Sequence, residues 1–222
     1  MRRVIHTAGT VLIVVGLLLV AFAAFQNWQR DREYGRAQRA LHADLSEPQA
    51  RREAPAVTGR TPRADPAPRK QSAPPEGAAL AVLRIPRFGA GYQPVIVEGV
   101  SQSDLAKGPG HYPGTAMPGE VGNFAVAGHR TGWGQPFNRL DELARGDRIV
   151  VEWRGRTFTY HVTGSRTVKP TDVEVIAPVP DKPGAKPDKA RITLTTCTDR
   201  DPVSRDYVHR LIVWGELDGQ GR

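Results

Sequence analysis

Arg191-Ile-Thr-Leu-Thr-Thr-Cys197 alternates apolar and hydroxyl side chains and closes on the only cysteine of the 222-residue chain. Side chains along a strand point alternately to its two faces. Ile192, Leu194 and Thr196 therefore share one face, and Arg191, Thr193, Thr195 and Cys197 the other. The apolar pair seeks a core, which turns the thiol towards a groove. One thiol cannot form an internal disulfide, so Cys197 is either buried filler or a working nucleophile.

Two other runs bear on that choice. Asn123-Phe-Ala-Val-Ala-Gly-His129 directs Phe124 and Val126 one way and Ala125, Ala127 and His129 the other. Small alanines beside a histidine leave room for a ligand. Arg210-Leu-Ile-Val-Trp214 sets Leu211 and Val213, with Leu217 beyond, opposite Arg210, Ile212 and Trp214. In each run the reactive group lies opposite the best apolar face, as a surface cleft requires.

Thiol, imidazole and guanidinium together fit acyl transfer through a thioester. The thiolate is the nucleophile, and an adjacent imidazole takes its proton and later serves the leaving amine as general acid. A fixed guanidinium stabilises the negative charge of a tetrahedral intermediate or holds the substrate's carbonyl oxygens. Taken singly each signal is weak, since free cysteine commonly behaves as a small hydrophobe. His111, in the Gly/Pro run Gly108–Gly114, is an alternative base, and Arg205 is the rival cation. His209 should point opposite to Arg210, and His161 reads as an ordinary strand residue. No His/Cys cluster suggests a metal, and no cofactor is implied. Asp172, Glu174, Asp181 and Asp188 read as solvated loop carboxylates, with calcium the alternative.

The strand-like segments are short and punctuated by Gly and Pro. They are Ala79–Ile85, Gln93–Gly99, Asn123–Ala127, Arg148–Trp153, Thr157–Val162, Arg166–Lys169, Ile192–Thr196 and Arg210–Leu217. Gly155 marks a hairpin turn within 148–162. Ser101–Lys107 opens with a helix cap, and Pro136–Leu143 spaces Phe137, Leu140 and Leu143 at helical intervals. The fold class is all-β, a barrel or a two-sheet sandwich with short helices. About 140 residues, from 79 to 217, suffice for one core.

The remainder of the chain has other work. Ala8 to Phe25 is apolar except for Thr10, and its 18 or so residues rise about 27 Å as a helix, near the thickness of a bilayer's hydrocarbon core. Arg2 and Arg3 precede it, and Trp28 follows at a position suited to the membrane interface. A retained anchor over residues 1–25 and a signal peptide cleaved near Ala21-Phe-Ala23 both fit, with length favouring the anchor. Arg30, Arg32, Arg36 and Arg39 run against a simple positive-inside assignment, but long C-terminal domains translocate largely regardless of charge. The expectation is N-terminus inside and domain outside. Residues 26–78 combine a polar, helix-compatible stretch to about residue 45 with a Pro/Ala/Arg-rich spacer from Glu47 to Gly77, too poor in bulky apolar groups to offset its ordering entropy. Residues 218–222 form a tail. Of the net charge of +8, +2 falls in residues 1–25, +3 in 26–78 and +3 in the remainder. Charge spread so evenly is not a nucleic-acid footprint.

Ala127-Gly-His129, Thr193-Leu-Thr-Thr-Cys197 and an arginine thirteen residues after the cysteine resemble the signature of sortases, the membrane-anchored cysteine transpeptidases of Gram-positive surfaces. Val168–Ile176 resembles the segment before the groove-covering loop of class A. Gly108-Pro-Gly-His-Tyr-Pro-Gly114 and Gly128-His-Arg-Thr-Gly-Trp-Gly134 look closer to class E of actinobacteria. The resemblance covers residues 79–217 and implies an eight-stranded sortase barrel. It further implies Cys197 as nucleophile, His129 as acid/base and Arg210 as stabilising cation, with Ala127, Val173, Val175, Ile176, Thr195 and Thr196 lining the substrate groove. The implied partners are surface proteins bearing a C-terminal LPxTG or LAxTG sorting signal, cleaved after threonine, and an amine on a peptidoglycan precursor. A pilin-polymerising sortase, a hydrolytic cysteine peptidase and a catalytically silent peptide- or wall-binding barrel are the alternatives.

Overall fold

In the computed structural model the described residues are 2–46, 72–202, 204 and 206–219. A long helix, α1 (Arg2–Ser46), is followed by β1 (Ala79–Arg84), β2 (Val95–Glu98), a one-turn helix α2 (Gln102–Leu105) and β3 (Gly110–His111). Then come β4 (Gly122–Ala127), β5 (Arg148–Trp153), β6 (Arg156–Val168), β7 (Ala190–Arg200) and β8 (Tyr207–Leu217). The eight strands close into a barrel in the order β1-β2-β3-β4-β7-β8-β6-β5. Pairs β2/β3 and β4/β7 are parallel, and β5 returns antiparallel to β1. Closure removes the open edges that would template association.

The interior is filled by side chains such as Leu83, Ile96, Phe124, Tyr160, Ile192 and Leu194, all buried. They alternate with outward residues, as period 2 dictates. Tyr160 is tolerated there because its hydroxyl accepts a 2.8 Å hydrogen bond from Gly119 N.

Several sequence expectations change. The segments Thr157–Val162 and Arg166–Lys169 are one strand, β6, whose ladder to β8 continues through an irregularity between Val162 and Gly164. The eighth strand is instead the two-residue β3, embedded in the Gly/Pro run. Pro136–Leu143 forms only a 3-10 turn at Leu140–Glu142, because Phe137 N is given to His129 O and Asn138 N to Gln135 O in closing the preceding loop. Its three apolar side chains are buried nonetheless. Strands β7 and β8 run on past the expected ends, so the segment 198–209 is largely hairpin. The cap at Ser101 is present as a reciprocal capping box with Asp104.

Among the described residues α1 is the one helix long and apolar enough to cross a membrane. Its apolar side chains from Leu12 to Phe25 are exposed. Its last turns dock on the barrel. Leu41 packs with Ala79, Val95 and Val97, while buried Gln38 accepts from Val95 N at 2.7 Å and donates to Lys107 O at 2.7 Å and Val95 O at 3.2 Å. The stretch grouped with the spacer on sequence grounds is thus attached to the domain as far as Ser46. The expected disordered spacer falls mostly on residues 47–71, outside the described residues.

If the barrel interior is the stabilising core, Phe124→Ala should cost about 3–5 kcal/mol. Val121→Ala, at a position 52% exposed, should stay within about 0.5 kcal/mol. Urea unfolding with m-values compared would show this, and equal costs at the two positions would contradict it.

Candidate active site

The site is built by register. Strands β4 and β7 run parallel with Ala125 beside Thr193 and Ala127 beside Thr195. Two residues further along each chain the same offset brings His129 level with Cys197. Chain β4 has formally ended there, but Gly128 N still donates to Thr195 O at 3.0 Å, and the Thr196 hydroxyl donates to Gly128 O at 2.8 Å. On the other side of β7, Cys197 pairs directly with Arg210 of β8. Imidazole, thiol and guanidinium therefore occupy neighbouring positions on the outer face of three adjacent strands.

Gly128 is required by space. A Cβ there would lie 2.5 Å from the ring of Phe137, whose buried side chain supports the loop from beneath. Phe137 N in turn donates to His129 O at 3.1 Å. The His129 ring is half-buried, and burial pushes its pKa below the ordinary value. Its Nε2 is buried without a partner among the described residues, so it can exchange a proton with a reacting group.

Arg210 is held from one end: Nη1 donates to His209 O at 2.9 Å and Tyr207 O at 3.4 Å. Among the described residues it has no carboxylate partner, leaving its charge available to a developing anion. Tyr112 completes the rim. Burial raises its phenol pKa most, and the charges of Arg210 and Cys197 shift it in opposite directions. Sequence reading passed over it, although alternation along Gly110–Tyr112 puts it opposite His111.

The rival residues are otherwise employed. His111 is fully buried, with Nδ1 2.7 Å from Glu98 Oε2 and Nε2 within 2.8 Å of the Thr115 hydroxyl and 3.2 Å of Ala116 O. Both ring nitrogens are committed, and the ring stacks on Phe124. His209 lies 3.2 Å from Asp199, and His161 approaches Gly146 O and Asp218 at the β6 end. Arg205 lies outside the described residues. A cavity of about 770 Å³ between the end of α1, residues 74–84 and the β5–β6 turn contains none of the reactive groups.

The expected groove residues divide. A 3-10 turn, Val173–Ile176, lies over the outer face, burying Val175 against Val168 and Ile212 with Ile176 and Trp214 at the margin. Asn123 Nδ2 donates to Ala177 O at 3.0 Å and Val175 O at 3.4 Å, while Thr193 donates to Asn123 Oδ1 at 2.8 Å. This network pins the turn. Ala127 and Thr195 lie on the same face, and Thr195 Oγ1 and Trp214 Nε1 are buried without partners. Such orphans cost about 1–3 kcal/mol each unless something reaches them. Thr196 faces inward onto Gly128 O, and Val173 points to solvent, so neither offers a groove wall. The loop carboxylates do not converge: Asp172 accepts from Lys169 N, Asp181 pairs with Arg166 and Asp188 with Arg191.

Known proteins share sequence and fold with this chain. A family model described as Sortase domain matches residues 83–218. The chain is 33% identical to sortase E1 of Streptomyces coelicolor over 217 residues, which cover 94% of this chain and 56% of that protein. It therefore spans little more than half the length of that relative. Among solved structures it resembles sortase E from Streptomyces avermitilis, with 44% identity and a TM-score of 0.57, covering 65% of this chain and 91% of the other. Sortase E1 of Streptomyces coelicolor, solved with a tripeptide in its active site, gives 35% identity and a TM-score of 0.55 over 66% and 91% of the two chains.

A depressed His129 pKa has a definite sign. Between the folded value and the unfolded one of about 6.5, the unfolded chain binds more protons, so the contribution to stability is full above about pH 6.5 and is lost as pH falls through the folded value. In Cys197→Ala, where no thiolate can raise it, the His129 ring should titrate below about 6.5 by NMR. A midpoint at or above that value would contradict the assigned burial.

Proposed function

The chain belongs to the sortase family, and from that premise we propose that it is a membrane-anchored cysteine transpeptidase acting on sorting signals. The observation that carries the reading is the side-by-side placement of Cys197 and Arg210 in the β7/β8 ladder, with His129 level with them on the continuation of β4. Residues 79–217 are the catalytic domain, residues 1–25 the anchor, and the domain lies outside the cell.

The Cys197 thiolate attacks the carbonyl carbon of the signal's threonine, and the carbonyl oxygen gathers negative charge beside Arg210. His129, protonated, gives its proton to the departing amine as the C–N bond breaks, leaving a thioester. An incoming amine of a cell-wall precursor then attacks the thioester, His129 takes its proton, and the thiolate departs. Water competes for the same thioester, so exclusion of water around the half-buried site decides transfer against hydrolysis. The resemblance to sortase E structures favours LAxTG beside LPxTG as the signal. A guanidinium with no carboxylate partner among the described residues and the unpartnered imidazole nitrogen support a working enzyme over a silent binding barrel.

Full-length protein in detergent, incubated with LPxTG and LAxTG peptides with and without triglycine, should yield a thioacyl adduct on Cys197 by mass and a triglycine-linked product. Cys197→Ala should give neither. Arg210→Ala should lower turnover by about 10²–10³, the usual cost of one oxyanion-stabilising donor. No adduct with either peptide would sink the substrate class, and activity lost in Arg205→Ala but kept in Arg210→Ala would reassign the cation.

A further inference from the structure

The order in which α1 touches the barrel defines a direction. Nearest the apolar run, Asp31 accepts from Gly134 N at 3.2 Å, Tyr34 lies against Gly134, and the Arg30 guanidinium sits 5.9 Å from the centre of the Trp133 ring. Gln38 follows, on Val95 and Lys107, and then His42 on Gln93 O and Leu45 against the cluster of Leu41, Ala79, Val95 and Val97. The loop Gly132–Gln135, which continues from His129, is therefore the part of the barrel that meets α1 closest to its apolar span.

Asp31 stands six residues beyond Phe25 in an unbroken helix, a rise of about 9 Å. That height is the outer edge of the headgroup layer beside a hydrocarbon core of about 30 Å. The side chains there have the matching chemistry. Trp28 is half exposed with the Arg32 guanidinium 4.5 Å from its ring centre, and Arg30 and Trp133 repeat the pairing across to the loop. Tryptophan favours this interfacial depth, and arginine meets lipid phosphates there. Docking is firm: Gln38 is buried with three hydrogen bonds, and burial raises the phenol pKa of Tyr34.

We infer that the second half of α1 is a rigid strut that holds the loop Gly132–Gln135, and with it the mouth of the His129–Cys197 cleft, against the phospholipid headgroup layer. The partner surface is the bilayer itself. The contact is made by Trp133 and Arg30 on the docked side and by Trp28 and Arg32 along the helix. The inference rests on α1 being the membrane anchor.

The single native cysteine makes the test direct. Full-length Cys197→Ala carrying Thr131→Cys, at an exposed position in the loop, is labelled with a fluorophore and reconstituted into phosphatidylcholine/phosphatidylglycerol vesicles containing headgroup-spin-labelled lipid. A second chain carries Arg154→Cys, in the β5–β6 turn that lines the same cavity as Ser46, roughly 20 Å farther along the helix direction. Position 131 should lose about half its emission and position 154 almost none. The difference should persist in 1 M salt, where a Debye length of about 3 Å removes charge-driven adhesion. A flexible Gly/Ser insertion between Phe25 and Gln26 should abolish it under that condition. Equal quenching at the two positions, loss in high salt, or persistence with the insertion would overturn the strut. Failure to enter vesicles would overturn the anchor reading and the strut with it.

Discussion

Everything reactive in this molecule depends on the parallel pairing of β4 with β7. Parallel strands cannot be joined by a tight turn, and here residues 128–189 lie between the end of β4 and the start of β7, including β5, β6 and the Val173–Ile176 turn. The chain thus travels around most of the barrel before β7 settles beside β4. Once it does, the offset of the ladder, held one residue further by Gly128 N on Thr195 O, directs His129 to the level of Cys197. A one-residue slip would turn either side chain into the core, so the hydrophobic alternation that fills the barrel also fixes the geometry of the candidate site.

Two polar clusters guard that register. On the outer face Asn123 and Thr193, diagonal neighbours across the β4/β7 ladder, satisfy each other and the carbonyls of the covering turn. Behind β3, Glu98 and Thr115 occupy both nitrogens of His111. Buried polar groups cost heavily when unpaired, so each cluster is formed only in one arrangement of its strands. The site contrasts with them. His129 Nε2, Thr195 Oγ1 and Trp214 Nε1 lie buried without partners on the same side of the barrel, where peptide groups or water could meet them.

Period 2 alternation is why so much was legible in the sequence. Cys197, His129 and Arg210 each stand opposite two apolar residues on their own strand, and burial sorts Ile192, Leu194, Phe124, Val126, Leu211 and Val213 to the interior as that pattern demands. What escaped was non-periodic. Strand β3 is two residues long, too short for any pattern, yet it delivers Tyr112 to the site. The irregularity at Val162/Gly164 disguised one strand as two. Thr196 matches a groove position by resemblance, but its parity puts it inside, where its hydroxyl ties down Gly128 O instead. Gln38 carries no sequence signal of docking, because its partners are backbone groups of a strand 57 residues away.

Docking of α1 also limits how far the barrel can move from the N-terminal apolar run. A flexible spacer of some 30 residues lets a domain wander through a volume set by its root-mean-square reach, about 30 Å, and dilutes it relative to anything in the bilayer. A helix that carries the apolar run and binds the barrel through Gln38 and Leu41 removes that freedom. If the chain acts on membrane-borne substrates as proposed, they meet the candidate site by lateral diffusion, with height already settled. The entropy of approach is spent in folding rather than at each turnover, which is the advantage preorganisation confers on any bimolecular step.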